Sequence, residues 1–321
     1  MADTIRAAGI DCGTNSIRLL IADVNPQAKT LREVTRQMEV VRLGQGVDRT
    51  GWFAPEALER TLRVAARFAR ECEEAQVERV RFVATSATRD AANRNVFLDG
   101  VRAEFGVEAD VVDGLEEAHL SFAGALSGLR GREPAPYLCV DLGGGSTELV
   151  AGAATAEAAI SMDVGCVRIT ERHLKSDPPT PGEVRAAARA VDAVLDQAAA
   201  RVPLGQAATL VGMAGSITTV TAHALGLERY DPARIDGARL TFDQALESCR
   251  SLWEASKAAR SRMGFMHPGR VDVIGAGALV WSRVLLRVRQ AAREAARPDL
   301  PYVVTSEHDI LDGIALSAAA T

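Results

Sequence analysis

Three short turns of small residues could each hold a phosphate group. Gly13, Thr14, Asn15 and Ser16 follow Asp11 at the end of an apolar run, and Gly143, Gly144, Gly145, Ser146 and Thr147 follow Asp141 in the same way. The third turn spans residues 212–219 and carries Gly215 and Ser216 just ahead of a helical stretch. Consecutive small residues leave backbone N–H groups unshielded and pointing one way, which forms a cradle for anion oxygens. Taken alone, each such turn is better explained as a tight chain reversal than as a ligand site. Three together, one of them at a helix N-terminus, favour a polyphosphate-type anion. Asp11, Asp141 and Glu148 then serve as direct or water-bridged ligands of Mg²⁺, with Mn²⁺ as the substitute, because a hard cation prefers carboxylates and keeps several waters. For the two aspartates a turn-forming Asx role is the alternative.

Residues 113–117 offer two adjacent carboxylates. Asp113 at an N-cap and Glu116 three residues later fit a capping box, which gives Glu116 a structural task. Glu117 has none, and on a helix it shares a face with Ser121 and Gly124, small residues that leave room, while Ala118, Phe122 and Leu126 form the buried stripe. A carboxylate over an open face is placed to activate a water; the alternative is an acid that merely suits a helix first turn. Arg89 follows a strand end and could fork onto a phosphate or pair with a surface acid. His308 and Asp309 read as residues of a helix first turn, and His119, His173, His223 and His267 show no ligand spacing.

These groups need a scaffold. Residues 7–10 and 17–24 read as strands joined through the first turn. Pro55 opens a helix over 55–75 with Leu58, Leu62, Ala65, Phe68, Ala69 and Cys72 on one stripe. A strand at 80–85, a helix over 93–105 and a strand at 107–112 follow, so the class is α/β. A strand at 137–140 leads into the second Asp-x-Gly-x-x-Ser string, 130 positions after the first. That duplication suggests two related domains. Capping boxes at Thr180-Pro181-Gly182-Glu183 and Thr241-Phe242-Asp243-Gln244 open helices over 180–201 and 241–260. A strand at 209–213, a helical region over 270–297 broken near Gly275 and Gly277, a strand at 302–305 and a helix from 306 complete the chain. The expected domains are 1–124, completed by the helix 306–321, and 125–305.

Composition excludes several classes. The 321 residues are 47% hydrophobic and 25% charged, ordinary globular usage. No apolar stretch reaches the ~20 residues of a membrane span. Five cysteines without a Cys-x-x-Cys pair write neither a disulfide framework nor a zinc ribbon, and a reducing cytoplasm is the expected location. A net charge of -5 and only three Trp, three Tyr and eight Phe leave no basic, aromatic-studded surface for nucleic acid. Only Lys29, Lys175 and Lys257 are lysines, and none follows a glycine, so a Walker A loop is excluded.

With these residues in order, the chain resembles the exopolyphosphatase/guanosine pentaphosphate phosphatase family. The string from Asp141 to Glu148 is the most specific element, and the first hairpin, residues 85–89, residues 114–118 and the Gly212 turn occur in the family's order. The resemblance implies two actin-like (ribonuclease H-like) domains facing a central cleft. It implies Mg²⁺-dependent hydrolysis of the terminal phosphoanhydride of inorganic polyphosphate or, alternatively, of the 5′ γ-phosphate of guanosine pentaphosphate. It makes Glu117 the catalytic base, Arg89 a phosphate contact, and Asp141 and Glu148 the acidic residues of the second loop. Thr14 stands where serine is commoner. The end at Thr321 looks like the family's short form, without the helical domain that helps long members hold extended polymer; Arg168, Arg172 and Arg270 are the first cations to consider in its place. A homodimer is the expected assembly. A small-molecule kinase on the same superfold and a non-enzymatic guanosine-polyphosphate sensor are the rival readings, since fold does not fix function.

Overall fold

The computed structural model describes residues 4–129, 131–298 and 300–320; the extremes of the expected ranges, 1–3 and 321, lie outside the described residues. The chain forms two compact units, Met1–Gly128 with His308–Thr321, and Leu129–Glu307. Both are α/β.

Unit 1 carries β1 (Ile5–Cys12), β2 (Ser16–Asn25), β3 (Thr30–Val40), α1 (Val47–Thr50), α2 (Pro55–Glu74), β4 (Arg79–Ala84), α3 (Ser86–Asp90), α4 (Arg94–Phe105), β5 (Ala109–Val111) and α5 (Gly114–Leu129). Its sheet runs β3-β2-β1-β4-β5, antiparallel across β1, β2 and β3 and parallel across β1, β4 and β5. Residues 7–12 of β1 are buried on both faces, as a central strand covered by helices requires. The apolar stripe of α2 lies on one face, with Leu58, Ala65, Phe68 and Cys72 in the core.

Unit 2 carries β6 (Tyr137–Leu142), β7 (Thr147–Gly152), β8 (Ala156–Met162), α6 (Cys166–His173), α7 (Pro181–Ala199), β9 (Thr209–Met213), α8 (Ala214–Ala224), α9 (Pro232–Ile235), β10 (Arg239–Leu240), α10 (Phe242–Glu254), α11 (Lys257–Arg260), α12 (Ile274–Glu294) and β11 (Val303–Thr305). Its sheet runs β10-β11-β9-β6-β7-β8. Read from the other edge, β8-β7-β6-β9-β11 has the order and strand directions of β3-β2-β1-β4-β5, with β10 added. The repeated string therefore marks a duplicated topology. α13 (Ile310–Ala318) returns to unit 1, where Ala315 packs so closely that a Cβ on Gly9 would lie 2.8 Å from its nitrogen.

The structure corrects the sequence reading in several places. β3 and β8 were not expected: β3 is a half-exposed edge strand rich in Arg and Glu, so it lacks the apolar alternation that marks a strand. The helix expected over 241–260 stops at Glu254, and Ser256 caps the separate α11. Gly275 and Gly277 do not break α12; a Cβ on Gly277 would lie 2.3 Å from Ser216 Oγ, so the glycine permits close packing. The last helix begins at Ile310, behind an Asp309–Asp312 capping box.

Candidate active site

Both Asp-led turns are built alike. Gly13 N donates to Ser16 O at 3.0 Å, and Gly143 N to Ser146 O at 3.0 Å. In unit 1 a following segment then takes the loop carbonyls: Gly44 N donates to Thr14 O at 2.9 Å, and Val41 N and Arg42 N donate to Asn15 O at 3.1 and 2.8 Å. In unit 2 the first turn of α6 does the same. Cys166 N donates to Gly143 O at 3.0 Å, Val167 N and Arg168 N to Gly144 O at 2.9 and 3.2 Å, and Arg168 Nε to Gly145 O at 2.8 Å. N–H and C=O point in opposite directions across a trans peptide. Tying the carbonyls of Gly143, Gly144 and Gly145 to α6 therefore turns the N–H groups of Gly144, Gly145 and Ser146 the other way, the polarity an anion cradle needs. In the first loop the hydroxyl of Thr14 is buried without a hydrogen-bond partner among the described residues, so it remains available as a donor.

The strands set the aspartates opposite different partners. Residues directly opposed in an antiparallel pair share a face. Asp11 opposes Arg18, and its Oδ2 accepts from Arg18 Nε at 2.9 Å and Nη2 at 2.6 Å. Arg18 also pairs with the buried Asp309 that caps α13. Burial pushes the Asp11 carboxyl above its ordinary value, and Arg18 offsets that only in part. Asp141 instead opposes Glu148. Both acids are buried, and Ser161 Oγ donates to Glu148 Oε1 at 2.7 Å. The equivalent position thus holds a cation in unit 1 and a second acid in unit 2. Among the described residues no group of three or more His, Cys, Asp or Glu side chains gathers round one point. Two facing carboxylates nevertheless fit a hard divalent cation that keeps most of its waters.

Glu116 and Glu117 separate clearly. Asp113 Oδ1 accepts from Leu115 N and Glu116 N, both at 2.9 Å, which is the N-cap half of the expected box. The Glu116 carboxylate, however, is exposed and pairs with Arg81. Glu117 is only 8% exposed, and Arg89 Nη1 donates to its Oε2 at 2.8 Å while also donating to Val112 O at 2.8 Å. α3 and α5 thereby bring the expected base and the expected phosphate-contacting arginine into one ion pair. The expected open face is corrected: Ser121 is fully buried, and a Cβ on Gly124 would lie 1.7 Å from Asp309 O. Gly124 admits the start of α13, and the face does not leave room for substrate.

The third turn opens α8 without a side-chain cap. Ala214 adopts φ 65°, a left-handed conformation unfavourable for alanine. Arg270 lies over the turn: a Cβ on Gly215 would come within 2.2 Å of Arg270 Nη2, and Arg270 Nη1 donates to Thr219 Oγ1 at 3.3 Å. His223 lies between Ser248 and Ser251, with burial lowering its pKa, and His267 Nδ1 accepts from Gly269 N; both act within the fold. Sequence reasoning missed Arg18, Ser161 and the α6 support. Extending the comparison of the two strings by two residues would have exposed the Arg18/Glu148 difference, whereas Ser161 sits on the unread β8.

Two α/β units of one strand order, each with an aspartate-led glycine turn, make a duplicated α/β fold. The chain belongs to the Ppx/GppA phosphatase family, whose model matches residues 20–296. It is 49% identical over 322 residues to exopolyphosphatase 2 of Mycobacterium tuberculosis, covering 98% of each chain. It is 32% identical to the guanosine-5'-triphosphate,3'-diphosphate pyrophosphatase of Photobacterium profundum over 59% of this chain and 38% of that one. The crystal structure of an exopolyphosphatase-like protein matches with a TM-score of 0.95 at 48% identity, covering 99% of this chain and 98% of the other. The Aquifex aeolicus family member matches with a TM-score of 0.79 at 29% identity, covering 98% and 97%. Among the described residues no helix is long and apolar enough to cross a membrane.

Proposed function

We propose that this protein hydrolyses the terminal phosphoanhydride of inorganic polyphosphate, releasing phosphate. The observation that carries the reading is the buried Glu117 held by Arg89 at 2.8 Å, in a chain that also carries two loops with outward-turned N–H groups. The relative named exopolyphosphatase 2 supports the substrate class.

Phosphoryl transfer passes through a loose transition state with charge on the equatorial oxygens, so catalysis is mainly placement and electrostatics. In this reading Glu117 orients the attacking water and takes its proton. Arg89 keeps that carboxylate in place and offers its remaining N–H groups to phosphoryl oxygens. Gly13, Thr14, Asn15 and Ser16 bind phosphate through the first loop, and Gly143, Gly144, Gly145, Ser146 and Thr147 frame the second. Gly215 and Ser216 add the third turn. Asp141 and Glu148 would hold Mg²⁺, or Mn²⁺ in its place, which when bound supplies charge neutralisation to the leaving and transferred phosphates. Asp11, whose charge Arg18 already matches, acts on that arginine and through water on any cation.

The test is phosphate release measured side by side on tripolyphosphate, long polyphosphate and guanosine pentaphosphate with Mg²⁺. Release from polyphosphate at the higher kcat/KM supports the reading. Guanosine pentaphosphate as the better substrate moves it to the nucleotide activity, the one named in the Photobacterium relative. Tight binding without turnover would make the protein a sensor, and in a parallel assay with ATP, ADP formation that requires an acceptor would make it a kinase.

A further inference from the structure

Arg168 stands out once α6 is seen beneath the second loop. It is only 7% exposed, so it cannot grip polymer at the surface as a free-standing cation. Its Nε donates to Gly145 O at 2.8 Å, its own backbone N donates to Gly144 O at 3.2 Å, and the solvated Asp163 lies 3.8 Å from its guanidinium. Burying a guanidinium is unfavourable unless its donors are satisfied, so a buried arginine committed to a loop carbonyl is a specific device. The neighbouring contact is equally tight, since a Cβ on Gly165 would lie 2.3 Å from Gly144 O. In the first loop backbone N–H groups from residues 41–44 take the carbonyls. In the second loop the Arg168 side chain takes one as well.

Resting on the phosphohydrolase reading of this loop, we infer that Arg168 is a positioning residue for phosphate binding: its guanidinium fixes the Gly145–Ser146 peptide with N–H outward and places a buried positive charge beneath the bound phosphates. Two consequences follow. Losing the Nε bond frees the peptide to rotate, which aims a carbonyl instead of an N–H at the phosphate. Losing the charge removes a field that acts in a poorly screened setting. Lysine preserves the second effect and not the first, because a single ammonium lacks the rigid fork.

The experiment measures tripolyphosphate binding by calorimetry, phosphate-release kinetics and thermal melting for the full chain and for Arg168→Ala and Arg168→Lys. Arg168→Ala is expected to weaken binding and raise KM on the order of 10- to 100-fold, with a smaller fall in kcat. Arg168→Lys should fall between it and the parent. Millimolar guanidinium should restore Arg168→Ala toward parental binding while leaving the parent unchanged, a rescue that a merely structural role would not give. Parental affinity in Arg168→Ala overturns the inference. So does a loss that follows a lowered melting temperature and does not respond to guanidinium. If the parent releases no phosphate from any substrate while Arg168→Ala still weakens tripolyphosphate binding, the hydrolase reading fails and the role of Arg168 stands.

Discussion

Replacing Glu117 by Gln and Glu116 by Ala separates two neighbouring acids that the structure places in different surroundings. Glu117→Gln keeps the size of the side chain, and its amide oxygen can still accept from Arg89 Nη1 where Oε2 accepts at 2.8 Å. The ion pair becomes a hydrogen bond in which only Arg89 is charged, a loss of about 1 kcal/mol in stability. The catalytic effect is far larger: an amide cannot take the proton of the attacking water, and a general base contributes roughly 10²- to 10⁴-fold in rate. Glu116→Ala removes an exposed ion pair to Arg81, which keeps Asp110 at 2.9 Å and Ser317 Oγ at 2.9 Å. An exposed pair contributes about 0–1 kcal/mol, so this variant should melt close to the parent and keep most of its turnover. Phosphate release at saturating tripolyphosphate, with thermal melts on the same samples, reads both. A dead Glu116→Ala beside a nearly normal Glu117→Gln would refute the assignment of the base and the burial argument behind it.

Asp141→Asn and Glu148→Gln should each lower kcat on the order of 100-fold while folding is kept, and excess chelator should abolish activity until a divalent ion is restored; unchanged kinetics would reduce the second loop to a turn. Gly165→Ala should cost about 1–3 kcal/mol and raise KM, because the new Cβ would lie 2.3 Å from Gly144 O and push the loop out of position; kinetics and melts of the parental kind would show the loop to be free to move. Burial alone would raise the Asp312 carboxyl, but the His308 hydrogen bond and the Arg36 charge outweigh it and leave the carboxyl below its ordinary 3.8. A depressed carboxyl contributes stability that is present above the unfolded value and lost as pH falls through the folded one. Melts of Asp312→Asn should therefore show a weaker pH dependence than the parent below about pH 4, and parallel curves would count against the network.

What the sequence made legible was local and apolar, or written in glycine. The central strands, the α2 stripe and the capping boxes at Thr180 and Thr241 follow from periodicity and short-range hydrogen bonding, and they appear at the expected places. The paired Asp-x-Gly-x-x-Ser strings exposed the duplication. What stayed hidden depends on partners far away in the chain. Ser121 and Gly124 looked like an open face because α13, nearly 190 residues later, was not yet in place. Glu116 looked like the second half of a capping box because nothing local announces Arg81. Arg168 looked like a surface cation because α6 is short and charged, and only the three-dimensional contact with Gly145 O shows its carbonyl as the partner.

The most direct measurement of the central claim is a single-turnover reaction of tripolyphosphate in ¹⁸O-water, followed by mass analysis of both products. Attack of water on the terminal phosphorus, with the leaving oxygen departing on the shortened chain, predicts one ¹⁸O in the released phosphate and none in the diphosphate. Label in the diphosphate would place the attack on an internal phosphorus. Unlabelled phosphate accompanies that outcome, because the terminal group then leaves with its original oxygens. This result would contradict a mechanism in which Glu117 activates water against the chain end.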